Sequence, residues 1–161
     1  MHTPLIRTLL LALPLLAMGC HTFEINTAPG LVALDDQEHY EYRAIAPEGV
    51  VVGVKVVDIG QKGDLAFWAR ATTLRIRQLE GYAMLGADDV KTSDGTVGRE
   101  LRFGHDEGGK PYLYTLRVFV KHKGWPSKSS RLFLVETGGP KDEVARYQQA
   151  LDWMQSSLAL D

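Results

Sequence analysis

The side chains that most often bind metal ions are few and scattered in this sequence of 161 residues. It contains one cysteine, Cys20, and five histidines, and no two histidines have the spacing of an H-x-x-x-H motif. That spacing matters because it places two ligands on one face of a helix, where a zinc ion can bind both. We therefore expect neither a metal site nor a metal cofactor.

A histidine beside two carboxylates, in the segment 105–107, has the residue types needed for acid–base catalysis. Adjacent residues of a strand point to opposite faces of the sheet, however, and Gly108-Gly109 follows directly, so the segment is better explained as a turn. The serines within residues 127–130 lack the G-x-S-x-G context of a hydrolase nucleophile, and the glycine pairs lack the P-loop and dinucleotide patterns. The sequence therefore predicts no catalytic residues, no cofactor, and a protein that is not an enzyme.

The residues that precede Cys20 indicate that this cysteine is covalently modified. An apolar stretch from Leu5 to Met18 precedes it, and a helix of that length is too short for the roughly 30 Å hydrocarbon core of a bilayer, as is typical of a signal peptide. The segment Leu16-Ala17-Met18-Gly19-Cys20 resembles the lipobox of bacterial lipoprotein signal peptides. The resemblance implies that residues 1–19 are removed and that Cys20 is lipidated. The alternative is an ordinary secretory signal followed by an incidental thiol.

The lipoprotein resemblance also implies a location. His21 follows the cysteine, where inner-membrane lipoproteins of enterobacteria typically carry aspartate, so the resemblance favours the outer membrane, facing the periplasm. Retention at the inner membrane and exposure at the cell surface stay open. The membrane is then one partner, bound through the lipid on Cys20, because two or three acyl chains hold a protein stably where one does not.

The charge balance argues against one class of partner. The chain has 18 Lys plus Arg against 20 Asp plus Glu, a formal net charge of -2. A protein dedicated to nucleic acids needs a surplus of cations to neutralise phosphates, so we expect no nucleic-acid partner.

One segment nevertheless concentrates cations around an aromatic residue. Lys121, Lys123 and Lys128 surround Trp125, in what the pattern predicts to be a loop between two strands. A tryptophan flanked by cations anchors well in a protein pocket or at lipid headgroups, so we expect these four residues to bind an acidic partner or an anionic membrane surface. The alternative is that Trp125-Pro126 folds back over the sheet edge and the lysines only aid solubility.

The remaining pattern predicts one α+β domain over residues 38–161, preceded by a lipidated tether over residues 20–37 in which Leu31 to Leu34 could form an early edge strand. Strands are expected at residues 39–44, 50–57, 82–90, 98–103, 112–121 and 131–137. Apolar residues at helical spacing predict two amphipathic helices. The first runs from Leu65 to Glu80, with Trp68, Ile76 and Leu79 on its apolar stripe, and the second runs through Val144, Tyr147, Leu151, Met154 and Leu158. Both Trp68 and Trp153 are expected to pack in the core or against the sheet.

Four hairpin-linked strands between two helices indicate an antiparallel sheet of about six strands with helices packed on it. The turn at Ala46-Pro47-Glu48-Gly49, the Asp94-Gly95 hairpin leading into strand 98–103, and the strand 131–138 before a final helix resemble the PsbP fold. This fold is shared by the photosystem protein PsbP, DcrB-type bacterial lipoproteins and a small Ran-binding protein. The resemblance implies a non-catalytic protein-binding or assembly component of a bacterial envelope system. The alternative is a lipid-anchored binder of a small hydrophobic ligand or lipid, held between sheet and helix.

Overall fold

The computed structural model describes residues 22–35, 37–122 and 129–161. The predicted signal peptide and Cys20 lie outside the described residues, as do Lys123, Trp125 and Lys128 of the predicted binding loop.

The chain folds into nine strands and three helices within the described ranges. In chain order these are β1 (Phe23–Glu24), β2 (Val32–Ala33), β3 (Tyr42–Ile45), β4 (Val51–Gly60), α1 (Leu65–Leu79), β5 (Ala83–Lys91), β6 (Val97–Glu107), β7 (Lys110–His122), β8 (Ser130–Pro140), α2 (Lys141–Arg146), α3 (Gln148–Ser157) and β9 (Ala159–Leu160). Seven strands form one antiparallel sheet in the order β2-β3-β4-β8-β7-β6-β5, and β1 pairs with β9 in a separate two-stranded sheet. The predicted fold class, an antiparallel sheet packed with helices, is confirmed.

Helices cover both faces of the large sheet. On one face, Ile76 of α1 packs against Leu101 and Phe103 of β6 and Leu116 and Val118 of β7. On the other face, α2 and α3 bury a second set against β3 and β4, comprising Ala44, Val50, Val52, Val144, Leu151 and Met154. The alternation of valines along β4 places Val52 and Val54 in the interior of this second face, as the sequence predicts.

Part of the segment predicted as a tether is packed in the structure. Phe23 pairs with Leu160, and Ala28 and Leu31 are 2% and 7% exposed. The cause is tertiary, because Ala28 and Leu31 are buried against the side chains of α2 and α3, which follow more than a hundred residues later in the chain. The short edge strand suggested near Leu31 is present as β2.

The first and last elements differ from the predictions in detail. The strand predicted from residue 39 begins at Tyr42, because His39 has a positive φ of 67° and the chain bends at Glu41. The single predicted C-terminal helix is divided at Tyr147, which lies between α2 and α3. Tyr147 is held by tertiary contacts, since its hydroxyl donates to Glu48 at 2.7 Å.

Candidate protein-docking surface

Lys121 is the one predicted binding residue that the structure describes, and its side chain is engaged within the protein. Its Nζ lies 3.3 Å from Oδ2 of Asp94 and also donates a hydrogen bond to the main-chain carbonyl of Leu160. Lys121 therefore joins the β5–β6 turn to the C-terminal strand β9. Whether it also contacts a partner stays a prediction, together with the roles of Lys123, Trp125 and Lys128.

Asp94 is the centre of this junction. Its carboxylate accepts hydrogen bonds from the hydroxyls of Thr92 and Thr96, both at 2.6 Å, and from the backbone N–H of Leu160 at 3.1 Å. Burial alone would raise the pKa of Asp94, but these donors together with Lys121 hold its pKa well below the usual range of a carboxyl group. The carboxylate is therefore ionised at neutral pH and fastens β9 to the turn.

Thr22, the first described residue, lies at the same junction. The carbonyl of Thr22 accepts from the backbone N–H of Asp161 at 3.1 Å, and Phe23 pairs with Leu160. The described chain therefore begins beside the C-terminal strand β9. We call this end of the domain, defined by Thr22, Asp94, Lys121 and Leu160, the anchor end, because Cys20, the predicted site of lipidation, precedes Thr22 by two positions in the sequence.

The histidines that raised the question of metal or acid–base chemistry make structural contacts. The segment 105–107 was predicted to be a turn, but it forms the end of β6, and the turn itself is Gly108-Gly109. His105 stacks on Tyr82 with ring centroids 4.8 Å apart, and Asp106 accepts from the backbone N–H of Gly109 at 2.9 Å. Nδ1 of His122 lies 2.6 Å from Oγ of Ser130. Within the described parts of the chain, no group of three or more His, Cys, Asp or Glu side chains is arranged to hold a metal ion.

A polar cluster that the sequence did not reveal lies on the part of the sheet that α1 leaves open. Glu136 accepts from Nζ of Lys55 and from the hydroxyl of Tyr40, both at 2.8 Å, and Lys55 lies 4.3 Å from the centre of the Tyr40 ring. The ring of Tyr40 covers Gly53, where an added Cβ would come within 2.5 Å of it. Burial lowers the pKa of Lys55, but its contacts with Glu136 and Tyr40 raise the pKa by more, so the net shift is upward. The three side chains satisfy one another's hydrogen-bonding groups, so the cluster stabilises the sheet.

The interior between α3 and the sheet is closed. The cavity lined by Arg117, Val135, Leu151 and Met154 has a volume of about 10 Å³, which is at most enough for a single water molecule. This packing leaves no space for a hydrophobic ligand between the helix and the sheet at that point.

In contrast, a groove of about 690 Å³ opens between the C-terminal half of α1 and the beginning of β5. Leu74, Tyr82, Met84 and Leu85 line it, with Arg77 also among its lining residues. Leu74, Met84 and Leu85 are 42%, 38% and 59% exposed. We call these five residues the α1–β5 surface.

The α1–β5 surface includes the open border of the large sheet. β5 is the last strand in the order, so within the described residues the side of β5 opposite β6 has no neighbouring strand. The register between β5 and β6 shifts between Met84 and Gly86, which makes Leu85 the extra residue of a bulge. Exposed apolar residues beside an open strand edge are a recurrent feature of protein docking sites.

Sequence patterning placed two apolar side chains wrongly. Leu79 was expected on the buried stripe of α1, but it is 80% exposed, because it is the last helical residue before the chain turns at Gly81. Trp153 was expected to pack on the sheet, but it is 47% exposed and lines an open groove with Pro29 and Tyr147. Trp68 is half-buried in the α1 core, as predicted, and its indole N–H donates to the Lys62 carbonyl at 2.9 Å.

Comparison with known proteins identifies the fold. Neither protein-family models nor curated protein sequences give a match. Among solved structures, the chain is similar to LpqN of Mycobacterium tuberculosis, a protein involved in cell envelope biogenesis, with a TM-score of 0.71, 12% identity, and coverage of 86% of this chain and 82% of LpqN. It is also similar to cyanobacterial PsbP from Synechocystis sp. PCC 6803, with a TM-score of 0.56, 13% identity and 87% of each chain covered.

A third similar structure is the Ran-binding protein Mog1p of Saccharomyces cerevisiae, with a TM-score of 0.52, 11% identity, and coverage of 86% of this chain and 90% of that protein. These likenesses show that the domain has the PsbP fold, in agreement with the resemblance seen in the sequence. No helix among the described residues is both long and apolar enough to span a bilayer.

Proposed function

We propose that this protein is a bacterial lipoprotein, anchored through Cys20 to the outer membrane and facing the periplasm, that acts as a non-catalytic protein-binding or assembly component of an envelope system. The observation that carries the protein-binding role is the α1–β5 surface, where apolar side chains are exposed beside an open strand edge. The similar structures support this proposal, since one acts in envelope biogenesis and another binds Ran.

The geometry of the anchor end supports the membrane part of the proposal. Only two residue steps separate Cys20 from Thr22, and a fully extended chain covers at most about 7 Å over that distance. A lipid on Cys20 would therefore hold the anchor end close to the headgroups. Lys123, Trp125 and Lys128 follow Lys121 in the chain, so in this proposal they face the anionic membrane surface or an acidic partner located there.

The anchor is tested by replacing Cys20 with serine and following the incorporation of an alkyne-labelled fatty acid. We expect the Cys20→Ser variant to lose the label and to leave the membrane fraction, while a matched Thr22→Ser variant keeps both. Labelling that persists in Cys20→Ser would exclude Cys20 as the attachment point.

The choice between a protein-binding component and a binder of hydrophobic ligands is tested on the lipidated protein purified from envelopes in mild detergent. We expect native mass spectrometry to show the protein with its covalent lipid and, after crosslinking in cells, a discrete complex with another protein. A stoichiometric non-covalent lipid or other apolar ligand would instead favour the hydrophobic-ligand function. The closed cavity beneath α3 argues against that outcome.

The binding loop is tested separately from the anchor. We expect Lys123→Glu, Trp125→Ala and Lys128→Glu together to weaken binding of the Cys20→Ser protein to vesicles that contain anionic lipid, with no change for neutral vesicles. Lys121 is left intact because its contacts with Asp94 and Leu160 hold the fold together. Unchanged vesicle binding, and unchanged recovery of crosslinked partner, would contradict a role for the loop.

A further inference from the structure

We propose that the α1–β5 surface binds an acidic, extended segment of a partner protein, which adds to the open edge of β5 as an eighth strand of the large sheet. This inference rests on the proposed protein-binding function and names the chemistry of the segment that is bound. Three features of the described residues support the proposal. They are the open edge of β5, the apolar side chains exposed in the groove beside that edge, and the arginines of α1.

The backbone of β5 supplies the first feature. β5 is nine residues long and pairs only with β6 in the described parts of the chain. Along an antiparallel strand, alternate residues direct their N–H and C=O groups away from the paired neighbour, so β5 offers a row of unused hydrogen-bonding groups on its outer side. An extended peptide satisfies such groups by adding as a further strand.

The side chains beside this edge supply the second feature. Met84 pairs with Phe103, a residue of the α1 core, so its side chain lies on the face that α1 covers, and Leu74 of α1 lines the same groove. A strand added to β5 would place every second side chain on that face, next to Leu74 and Met84. The groove therefore favours an apolar residue at those positions of the bound segment.

The charge of α1 supplies the third feature. The fifteen residues of α1 include Arg70, Arg75 and Arg77 and no acidic residue. Arg75 lies 3.3 Å from Glu80, whereas Arg70 and Arg77 have no ion-pair or hydrogen-bond partner among the side chains that the structure describes. Helical spacing puts Arg70, Leu74 and Arg77 on one outward face. A carboxylate next to Leu74 would pair with the guanidinium of Arg77, so the bound segment is expected to be acidic.

The position of the surface favours a protein over the membrane as its occupant. Met84 and Leu85 lie at the start of β5, whereas the turn that contains Asp94 follows the end of β5 and contacts β9 at the anchor end. Lys91 is seven residue steps beyond Met84, which corresponds to roughly 23 Å of strand. A second copy of this chain is also disfavoured, because its own α1 would bring arginines of the same charge to the contact.

To test the proposal, peptides that bind the full-length protein in detergent are selected from a displayed library of random twelve-residue peptides. We expect the selected peptides to alternate apolar and acidic residues. Binding of a synthetic selected peptide is then measured by fluorescence polarisation. Arg77→Glu should weaken binding of this peptide about tenfold, which corresponds to the loss of one charged hydrogen bond. A second peptide, with lysine in place of the acidic residues, should bind Arg77→Glu better than it binds the wild type.

Matched controls separate this surface from general effects. Lys141→Glu makes the same charge change on α2, against the opposite face of the sheet, and should leave the affinity unchanged. Leu74→Gln should weaken binding, whereas Leu79→Gln, at an exposed position on the same helix outside the groove, should not. Hydrogen exchange of the β5 amides should slow when the peptide is bound, as expected for an added strand.

Several results would overturn the inference. These are selected peptides without acidic residues, equal losses for Lys141→Glu and Arg77→Glu, or unchanged exchange in β5. Binding of anionic vesicles that Arg77→Glu abolishes would make the membrane the occupant, and a dimer that Leu74→Gln disrupts would make it a second copy. None of these measurements depends on lipidation of Cys20, so failure here is distinguishable from failure of the proposed anchor.

Discussion

Lys121 donates a hydrogen bond to the main-chain carbonyl of Leu160, the residue that pairs with Phe23 at the beginning of the described chain. Lys121, which directly precedes the predicted binding loop, is thereby joined to β9 and, through the pairing of β9 with β1, to the first described strand. This contact gives Lys121 a structural role that Lys123 and Lys128 need not share. Variants that test the loop are therefore best made beyond Lys121, where a loss of binding can be separated from a loss of stability.

Replacement of Asp94 by asparagine should lower the free energy of unfolding at pH 7. The carboxylate accepts from Thr92, Thr96, Leu160 and Lys121, and an amide cannot accept from all four. We expect a loss of about 1–3 kcal/mol in urea denaturation. Asp35→Asn, which removes an exposed carboxylate on the N-terminal segment, is the matched control and should change the stability little. A stability of Asp94→Asn equal to that of wild type would refute the structural role of this junction.

The low pKa of Asp94 predicts a dependence of stability on pH. A carboxyl group whose pKa is depressed in the folded state contributes stability that is fully present above its unfolded pKa of about 4. That stability is lost as the pH falls towards the folded value. The stability difference between wild type and Asp94→Asn should therefore be largest at neutral pH and shrink as the pH falls below 4. Urea denaturation at pH 7 and pH 3 measures it. A difference that is the same at both pH values would contradict the assignment.

The ion pair between Glu100 and Arg117 should contribute more to the free energy of unfolding than ion pairs on the surface do. Nε of Arg117 lies 2.8 Å from Glu100, and the two side chains are 9% and 13% exposed. Burial lowers the pKa of Arg117, and Glu100 offsets part of that effect. Glu100 also lies 2.8 Å from Nη1 of Arg102. Glu100→Gln removes the carboxylate that lies against the buried guanidinium of Arg117 and should cost about 3–5 kcal/mol.

The control for this ion pair is Asp89→Asn. It breaks the exposed contact of Asp89 with Arg99, which is 2.6 Å long, and should cost less than about 1 kcal/mol. Equal losses for Glu100→Gln and Asp89→Asn in urea denaturation would show that the burial of Arg117 does not govern the strength of the pair.

Gly98 lies where the sheet has no space for a side chain. An added Cβ would come within 2.2 Å of the Phe119 ring and 2.8 Å of the Val118 carbonyl. We expect Gly98→Ala to cost about 1–3 kcal/mol through overpacking. Gly138→Ala is the matched control in the same sheet, because its Cβ would make an ordinary contact of 3.4 Å with Tyr114. Thermal unfolding of both variants checks the prediction, and a smaller loss for Gly98→Ala than for Gly138→Ala would contradict it.

Local patterning was sufficient for the main elements of the fold. Alternation along β4 and β7, the turn residues around Asp94-Gly95, and the helical spacing of Leu151 and Met154 each depend on neighbours in the chain, and these elements are present. The order of elements was enough to indicate the PsbP fold. Patterns of this kind are reliable because each residue's environment repeats with the period of its own strand or helix.

Features that depend on distant contacts could not be predicted. β9 is two residues long and exists because it pairs with β1, and the packing of Ala28 depends on residues of α2 and α3. The cluster of Tyr40, Lys55 and Glu136 combines three parts of the chain whose neighbours give no hint of the contact. The α1–β5 surface was missed for a related reason, because the strand at the edge of a sheet is defined by the complete strand order and not by its own sequence.

In the proposed function, a lipid on Cys20 holds the anchor end at the membrane while the α1–β5 surface, at the other end of β5, binds a protein. Photo-crosslinking in intact cells tests both halves, with a photoreactive residue placed at Lys91 or at Leu74. We expect position 91 to form adducts with lipid that disappear in Cys20→Ser. We expect position 74 to form a protein adduct that Arg77→Glu removes and Lys141→Glu does not. Lipid adducts at position 74, or adducts at position 91 that are unchanged by Cys20→Ser, would contradict the proposed function.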